Sequence, residues 1–172
     1  ISMSIWGKLL AGTFGFALGG PIGALLGVIA GHSVDKIRKQ TSGIDGNIQS
    51  PQEVITVGII ILAAKLSKSD GQVTSEEISA FKEKFKIPPN FQSDVGKIFN
   101  EAKKSSDDYH QYAQQLGMIF RGQPQVLEQI INLLFFIAEA DGEISKPEIL
   151  FIEGCAKYFG LSKNQYDSIQ TI

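Results

Sequence analysis

The chain has few of the residue types that build chemical sites. Among 172 residues there is one cysteine, Cys155, and there are two histidines, His32 and His110. A single cysteine excludes an internal disulfide framework, and two distant histidines argue against a multi-histidine metal site. A formal net charge of −2 gives no basis for a nucleic-acid partner. No phosphate-binding glycine loop, nucleophile elbow or zinc-type spacing occurs, so we expect no enzyme.

Charge is absent from Leu9 to Gly31, a run of 23 residues. As a helix this run would be about 35 Å long at about 1.5 Å per residue, enough to cross the core of a bilayer. Small residues recur at every fourth position, which places them where a second helix can approach closely. We predict a single membrane-spanning helix that self-associates, or docks on another membrane protein, through Gly7, Ala11, Gly15, Gly19, Gly23, Gly27 and Gly31.

Other interpretations of this run are a cleaved signal peptide and a buried soluble helix. The apolar core of a signal peptide is shorter, and each glycine costs about 1 kcal/mol relative to alanine in a soluble helix. Gly19-Gly20-Pro21 would also allow a re-entrant hairpin, but the spacing of small residues continues through the proline and favours one kinked span. Basic residues cluster at 36–39 whereas only Lys8 precedes the run. This asymmetry predicts an outside N-terminus and a cytoplasmic C-terminal domain.

The rest of the chain has a helical pattern without strand-like alternation. We divide the sequence into a glycine-rich membrane segment with its basic flank (1–40), a polar linker (41–50) and an all-α domain (51–172). Ser50 caps the first helix of that domain, with Pro51 at its first position, and Val54–Leu66 is apolar enough to be a central buried helix. The remaining helices are expected at about Ser75–Phe85, Phe91–Lys104, Asp107–Phe120, Gln125–Glu139 and Pro147–Phe159, with a short last helix capped by Ser162.

An internal repeat joins the two halves of this domain. The sequence DGQVTSEE at 70–77 recurs as DGEISKPE at 141–148, which is 71 residues later. Each copy follows a long apolar helix and precedes an amphipathic one. The repeat therefore predicts two related helix–loop–helix halves in a domain of about seven helices.

The repeated loops have two interpretations. In the structural one, Thr74 and Ser145 cap the following helices, and the glutamate three residues later returns a hydrogen bond to each cap. In the functional one, the loops bind a divalent cation, because the pattern matches the second half of an EF-hand loop. The first half does not match, since Leu66 and Ile137 occupy positions where carboxylates are needed. If the loops lie side by side, the shared ligands would be Asp70, Glu77, Asp141 and Glu148, with Glu139 and Glu143 nearby.

The combination of these parts resembles a known family. The start at Met3–Lys8, the glycine-spaced run and Gly31–Lys36 resemble the N-terminus of DjlA-type membrane-anchored DnaJ proteins, and the two loops resemble the TerB-like domain of those proteins. The resemblance implies a bacterial inner-membrane protein with one span, which dimerises through its glycines. A J domain with a His-Pro-Asp motif normally follows and stimulates a DnaK-type chaperone, but that motif is absent from these residues. TerB-like domains are also linked to tellurite resistance and metal binding, which the resemblance assigns to the acidic loops.

Three functions are therefore open. The first is a membrane-anchored adaptor or co-chaperone region, whose partners are the lipid bilayer, a second copy or another membrane protein, and a DnaK-type chaperone only where a J domain follows. The second is a cation-binding or metal-stress sensor. The third is an accessory structural subunit of a membrane complex. In each case Cys155 is expected to be a core residue and His110 a surface or packing residue.

Overall fold

The computed structural model describes residues 19–31, 51–71, 75–86 and 92–170. All regular elements in these ranges are helices, which confirms the all-α fold class. Several predicted features lie outside the described residues, namely Gly7, Ala11, Gly15, Ser50 and Thr74.

The described part of the chain contains eight α-helices and one 3-10 turn. We number the helices in chain order. They are α1 (Gly20–Gly31), α2 (Pro51–Ser69), α3 (Ser75–Phe85), α4 (Gln92–Ala102), α5 (Tyr109–Ile119), α6 (Pro124–Ala138), α7 (Lys146–Phe159) and α8 (Lys163–Gln170), with the 3-10 turn at Glu139–Asp141 between α6 and α7.

Helix α2 is the centre of the domain. It packs against α4, α5, α6 and α7. Its consecutive residues Ile60, Ile61 and Leu62 are all fully buried, so this helix is covered on every side rather than along one stripe. The apolar run at 54–66 is thus the central buried helix that its composition predicts.

Helices α5 and α7 approach each other closely on one side of α2. A Cβ atom on Gly117 would lie 2.9 Å from the carbonyl oxygen of Phe159, which is shorter than real Cβ contacts. On the facing helix, Gly154 leaves room for the ring of Tyr109, whose hydroxyl occupies the place of a Cβ atom. Two glycines therefore set the distance between these helices.

Helix α1 packs on α4 and α5. Ile22 is fully buried, and Gln115 of α5 holds the start of the helix by accepting from the Ile22 amide at 2.8 Å and donating to the Gly19 carbonyl at 2.9 Å. Gly19 and Gly20 have φ values of +67° and +61°, and Pro21 stands within the first turn of the helix, where no amide hydrogen is needed. Glycine adopts this left-handed backbone without steric cost, and most of the predicted kinked span lies outside the described residues.

Helix α1 has 12 residues, which corresponds to about 18 Å at about 1.5 Å per residue. Within the ranges that the structure describes, no helix combines the length and the apolar character needed to cross a membrane.

Candidate functional site

The two repeated loops have the same backbone geometry. Gly71 and Gly142 adopt φ values of +92° and +102°, and each glycine amide donates to the carbonyl three residues earlier, Lys68 at 2.9 Å and Glu139 at 3.0 Å. Glycine reaches this left-handed conformation without steric cost. Among the described residues, the repeat is therefore structural at these two glycine turns, one after α2 and one after α6.

The second loop ends in a capping box. The Ser145 side chain accepts from the Glu148 amide at 3.2 Å, and the Glu148 carboxylate accepts from the Ser145 amide at 3.0 Å. Ser162 and Gln165 form the same reciprocal pair at the start of α8, at 3.1 and 2.7 Å. Each pair satisfies amide donors that the first turn of a helix leaves without a partner.

The structure does not assemble the four predicted cation ligands into a visible site. Glu148 is 1% exposed and is engaged in its capping box, whereas Asp70 is exposed in the turn after α2. The side chains of Glu77 and Asp141 lie outside the described part of the structure. Among the residues that are described, no group of three or more histidine, cysteine or acidic side chains is arranged to hold a metal ion. The shared cation site therefore stays a prediction.

The two repeats do meet at a groove, because α3, which follows the first loop, packs against α6 and the 3-10 turn of the second loop. Phe136 of α6 contributes to two cavities in this groove. The larger has a volume of about 710 Å³ and is lined by Lys84, Gln129, Asn132, Leu133, Phe135, Phe136, Glu139, Ile144, Ile149 and Ile169. The smaller has a volume of about 560 Å³ and is lined by Ser75, Glu76, Ser79, Glu83, Phe136, Glu139 and Ala140.

The two cavities differ in charge. The smaller one carries three exposed carboxylates, Glu76, Glu83 and Glu139, and none of them pairs with a basic side chain among the described residues. Six apolar side chains line the larger one together with Lys84, Gln129, Asn132 and Glu139, and the Lys84 ammonium lies 5.0 Å from the centre of the Phe136 ring. The Phe136 side chain is 43% exposed between them. The groove thus combines apolar side chains with exposed carboxylates, and Glu139 belongs to both cavities.

A buried charge that the sequence did not indicate lies on the side of α2 that faces α4 and α5. Lys65 is 2% exposed, and its ammonium donates to the Asp108 carboxylate at 2.6 Å and to the carbonyls of Ala102 at 3.1 Å and Ser105 at 2.8 Å. The only sequence signal for it was a lysine inside the apolar run at 54–66. Lys65 therefore connects α2 to the turn between α4 and α5, and its ammonium is not exposed for chemistry.

The remaining candidates are packing residues, as predicted. Cys155 is fully buried, and burial raises the pKa of its thiol well above the usual value, which disfavours the reactive thiolate. His110 is partly buried, with Nδ1 at 3.2 Å from the Asp107 carbonyl and its ring beside Tyr109 and Tyr158.

Tyr112 of α5 has a perturbed phenol. Burial is the larger cause and the Asp108 carboxylate the second, and together they raise the pKa of Tyr112 to about 12.

These features define an all-α protein. Its helical domain contains two glycine turns and follows a glycine-rich apolar segment. Comparison with family models specifies it further. Residues 56–171 match the model of the tellurite resistance protein TerB, and residues 3–50 match that of the co-chaperone DjlA transmembrane domain. The chain belongs to the TerB family, and its two matches in this order make it a DjlA-type protein with a membrane anchor. Helix α1 lies within the segment that matches the anchor.

Curated relatives carry the same combination. The chain is 27% identical to the co-chaperone protein DjlA of Photobacterium profundum over 175 residues, covering 95% of this chain and 63% of that protein. It is 24% identical to the DjlA of Legionella pneumophila, covering 91% and 56%, and 22% identical to that of Escherichia coli K12, covering 96% and 62%. The chain thus spans between half and two thirds of the length of these relatives. No solved structure matches it.

Proposed function

We propose that this chain is the anchoring and adaptor region of a DjlA-type co-chaperone of the bacterial inner membrane. The observation that carries the proposal is the order of the two matches, an anchor at 3–50 followed by a TerB domain at 56–171, in a chain whose relatives are named co-chaperones. The anchor places the N-terminus outside and the helical domain in the cytoplasm. There the domain presents its groove to a protein partner, and a DnaK-type chaperone is proposed as a partner only where a J domain follows.

The anchor is also proposed to hold two copies together. Support comes from the distribution of side chains on α1, where Ile22, Leu25 and Leu26 are buried against the domain while Ala24 and Val28 remain exposed. Gly27 is half-buried on the same helix, and small residues at four-residue spacing let a second helix approach closely in lipid.

Self-association in the membrane tests this proposal. The full chain is expressed as a fusion in a reporter assay for helix association, with Gly27→Leu as the test variant, because Gly27 is only partly buried. We expect the association signal to fall several-fold, because leucine side chains keep the helix backbones apart. Leu26→Ile on the same helix is the matched control, because Leu26 is buried against the domain and the change conserves its volume. An unchanged signal for Gly27→Leu would count against a glycine-mediated contact.

A topology measurement tests the orientation. A fluorescent protein fused after Ile172 should be active if that end lies in the cytoplasm, whereas an alkaline phosphatase fused at the same place should be inactive. The opposite pair of results would reverse the proposed orientation.

A cation-binding role is the second candidate, and it is supported by the recurrence of the acidic loop sequence at 70–77 and 141–148. Calorimetric titration of the full chain in detergent with calcium, magnesium or zinc would measure it directly. Asp70→Asn combined with Asp141→Asn should abolish binding, whereas Asp167→Asn, an exposed aspartate on α8, should leave it unchanged. No heat of binding, or binding that survives the double substitution, would remove this candidate.

A further inference from the structure

An aromatic side chain stands exposed at the junction of the two repeats. Phe136 is 43% exposed although the next residue, Ile137, is 1% exposed. The ring lines both cavities of the groove rather than an isolated patch of surface. Aromatic side chains in concave, partly apolar surroundings are the residues that most often dominate protein interfaces.

The larger cavity suits an apolar side chain. Its walls include Leu133, Ile144, Ile149 and Ile169, which come from α6, the second loop, α7 and α8. Because four separate elements form these walls, the packing of the domain holds the cavity open rather than one mobile loop. A volume of about 710 Å³ is within the usual range for binding pockets, roughly 300–1,000 Å³.

The smaller cavity suits a cation on an organic side chain. Glu76, Glu83 and Glu139 give it three negative charges, and Ser75 and Ser79 add polar groups. The ammonium of Lys84 already lies over one face of the Phe136 ring, so a basic side chain of a partner would pair with the three carboxylates rather than with that face. The same acidic rim would repel the anionic surface of a bacterial membrane, which favours a protein partner over lipid.

We infer that the groove at Phe136 binds a segment of a partner protein in which a large apolar side chain adjoins lysine or arginine. The apolar side chain enters the larger cavity, and the basic side chain pairs with the carboxylates of the smaller one. This inference rests on the proposed adaptor role and names the kind of partner that the domain recruits. Charge sets the orientation of the segment, and removal of the Phe136 ring and its apolar neighbour from water supplies the binding energy.

Fluorescence anisotropy with labelled peptides tests the inference. The full chain is held in nanodiscs of neutral lipid, so that basic peptides do not bind the bilayer by charge. The probes are a short peptide of alternating leucine and lysine, a second with glutamate in place of lysine, and a third with serine in place of leucine. Only the first should bind, and its affinity should fall as salt is raised. Equal binding of the leucine–glutamate peptide, or no binding of the leucine–lysine peptide, would overturn the inference.

Variants of the protein locate the site. Phe136→Ala should weaken binding of the leucine–lysine peptide by about fivefold or more, the usual effect of losing an important interface residue. Leu150→Ala is the matched control, because Leu150 is 56% exposed and lines neither cavity. Glu83→Gln with Glu139→Gln should also weaken binding, whereas Glu153→Gln on the exposed side of α7 should not. Equal affinities for Phe136→Ala and the wild type would place the binding elsewhere.

A charge reversal provides a gain of binding that misfolding cannot imitate. Glu83→Lys with Glu139→Lys should transfer the preference from the leucine–lysine to the leucine–glutamate peptide. The self-association assay of the anchor does not involve these residues, so the two proposals fail separately. Loss of peptide binding with intact self-association removes the groove alone, and the reverse result removes the proposed anchor contact alone.

Discussion

Removing Asp108 should destabilise the domain far more than removing Lys104, although the two ion pairs have almost the same length. Lys65 and Asp108 are 2.6 Å apart, and Lys104 and Glu101 are 2.7 Å apart. The difference is solvent, because the lysine side chain is 2% exposed in the first pair and 70% exposed in the second. Asp108→Ala leaves an ammonium buried with two carbonyl partners and no counter-charge.

The magnitude follows from this asymmetry. Breaking a buried pair from one side costs about 3–5 kcal/mol, whereas an exposed pair contributes about 0–1 kcal/mol. The Asp108 side chain is 39% exposed, so solvent screens part of the interaction. We therefore expect Asp108→Ala to lower the free energy of unfolding by about 2–3 kcal/mol and Lys104→Met by less than about 1 kcal/mol. Lys65→Met should cost about 1–3 kcal/mol, because buried carbonyls lose their donor.

Urea unfolding of the full chain in one detergent, followed by circular dichroism, measures these differences. The double variant of Lys65→Met and Asp108→Ala should cost less than the sum of the single changes, since the two residues interact. Raising the salt concentration should change the Asp108→Ala effect little. If Asp108→Ala and Lys104→Met differ by less than about 0.5 kcal/mol, burial of the ammonium does not determine the strength of this pair.

Three further predictions concern packing, capping and pH. Gly117→Ala should lower the free energy of unfolding by about 1–3 kcal/mol, because the added Cβ would contact the α7 backbone too closely. Gly96→Ala is the control, because Gly96 has open space around it and the change should be neutral or stabilising. Thermal denaturation of the two variants measures the difference. Ser145→Ala should cost about 0.5–2 kcal/mol in the same assay, and an unchanged midpoint would mean that the capping box contributes nothing. Tyr112 has its pKa raised from 10.0 to about 12, so its folded phenol stays protonated after the unfolded one ionises. The stability that the protonated Tyr112 phenol contributes is complete below pH 10 and is lost as the pH rises towards about 12. Tyr112→Phe should therefore reduce the loss of stability over this pH range.

Helix positions and the repeat were predictable because their signals are local. The proline at the start of α2, the apolar run that follows it and the capping residues Ser145 and Ser162 act within a few neighbouring positions. The two glycine turns were predictable for the same reason, since a left-handed residue between helices requires no information from the rest of the fold.

The groove was only partly predictable. The repeat suggested that its two loops lie near each other, and α3 does pack on the 3-10 turn of the second loop. The exposure of Phe136 could not be predicted from the sequence, because Phe136 belongs to an apolar helix in which the neighbouring Ile137 and Ala138 are buried. Periodicity places a residue on a face of a helix, but it does not say whether another element covers that face.

The sequence by itself determined that this protein is all-α, that its helical domain contains two related halves, and that an uncharged, glycine-spaced segment precedes that domain. These properties depend on composition and on patterns within about one or two helical turns. The tertiary structure alone decided that Lys65 is buried, that Gln115 holds the start of α1 and that Phe136 lines a groove. Each of these features depends on residues that are far apart in the chain. Lys65 and its partner Asp108 are 43 positions apart, and Gln115 and Ile22 are 93 positions apart. Burial and pairing over such separations are set when helices pack together, and local sequence patterns do not specify that packing.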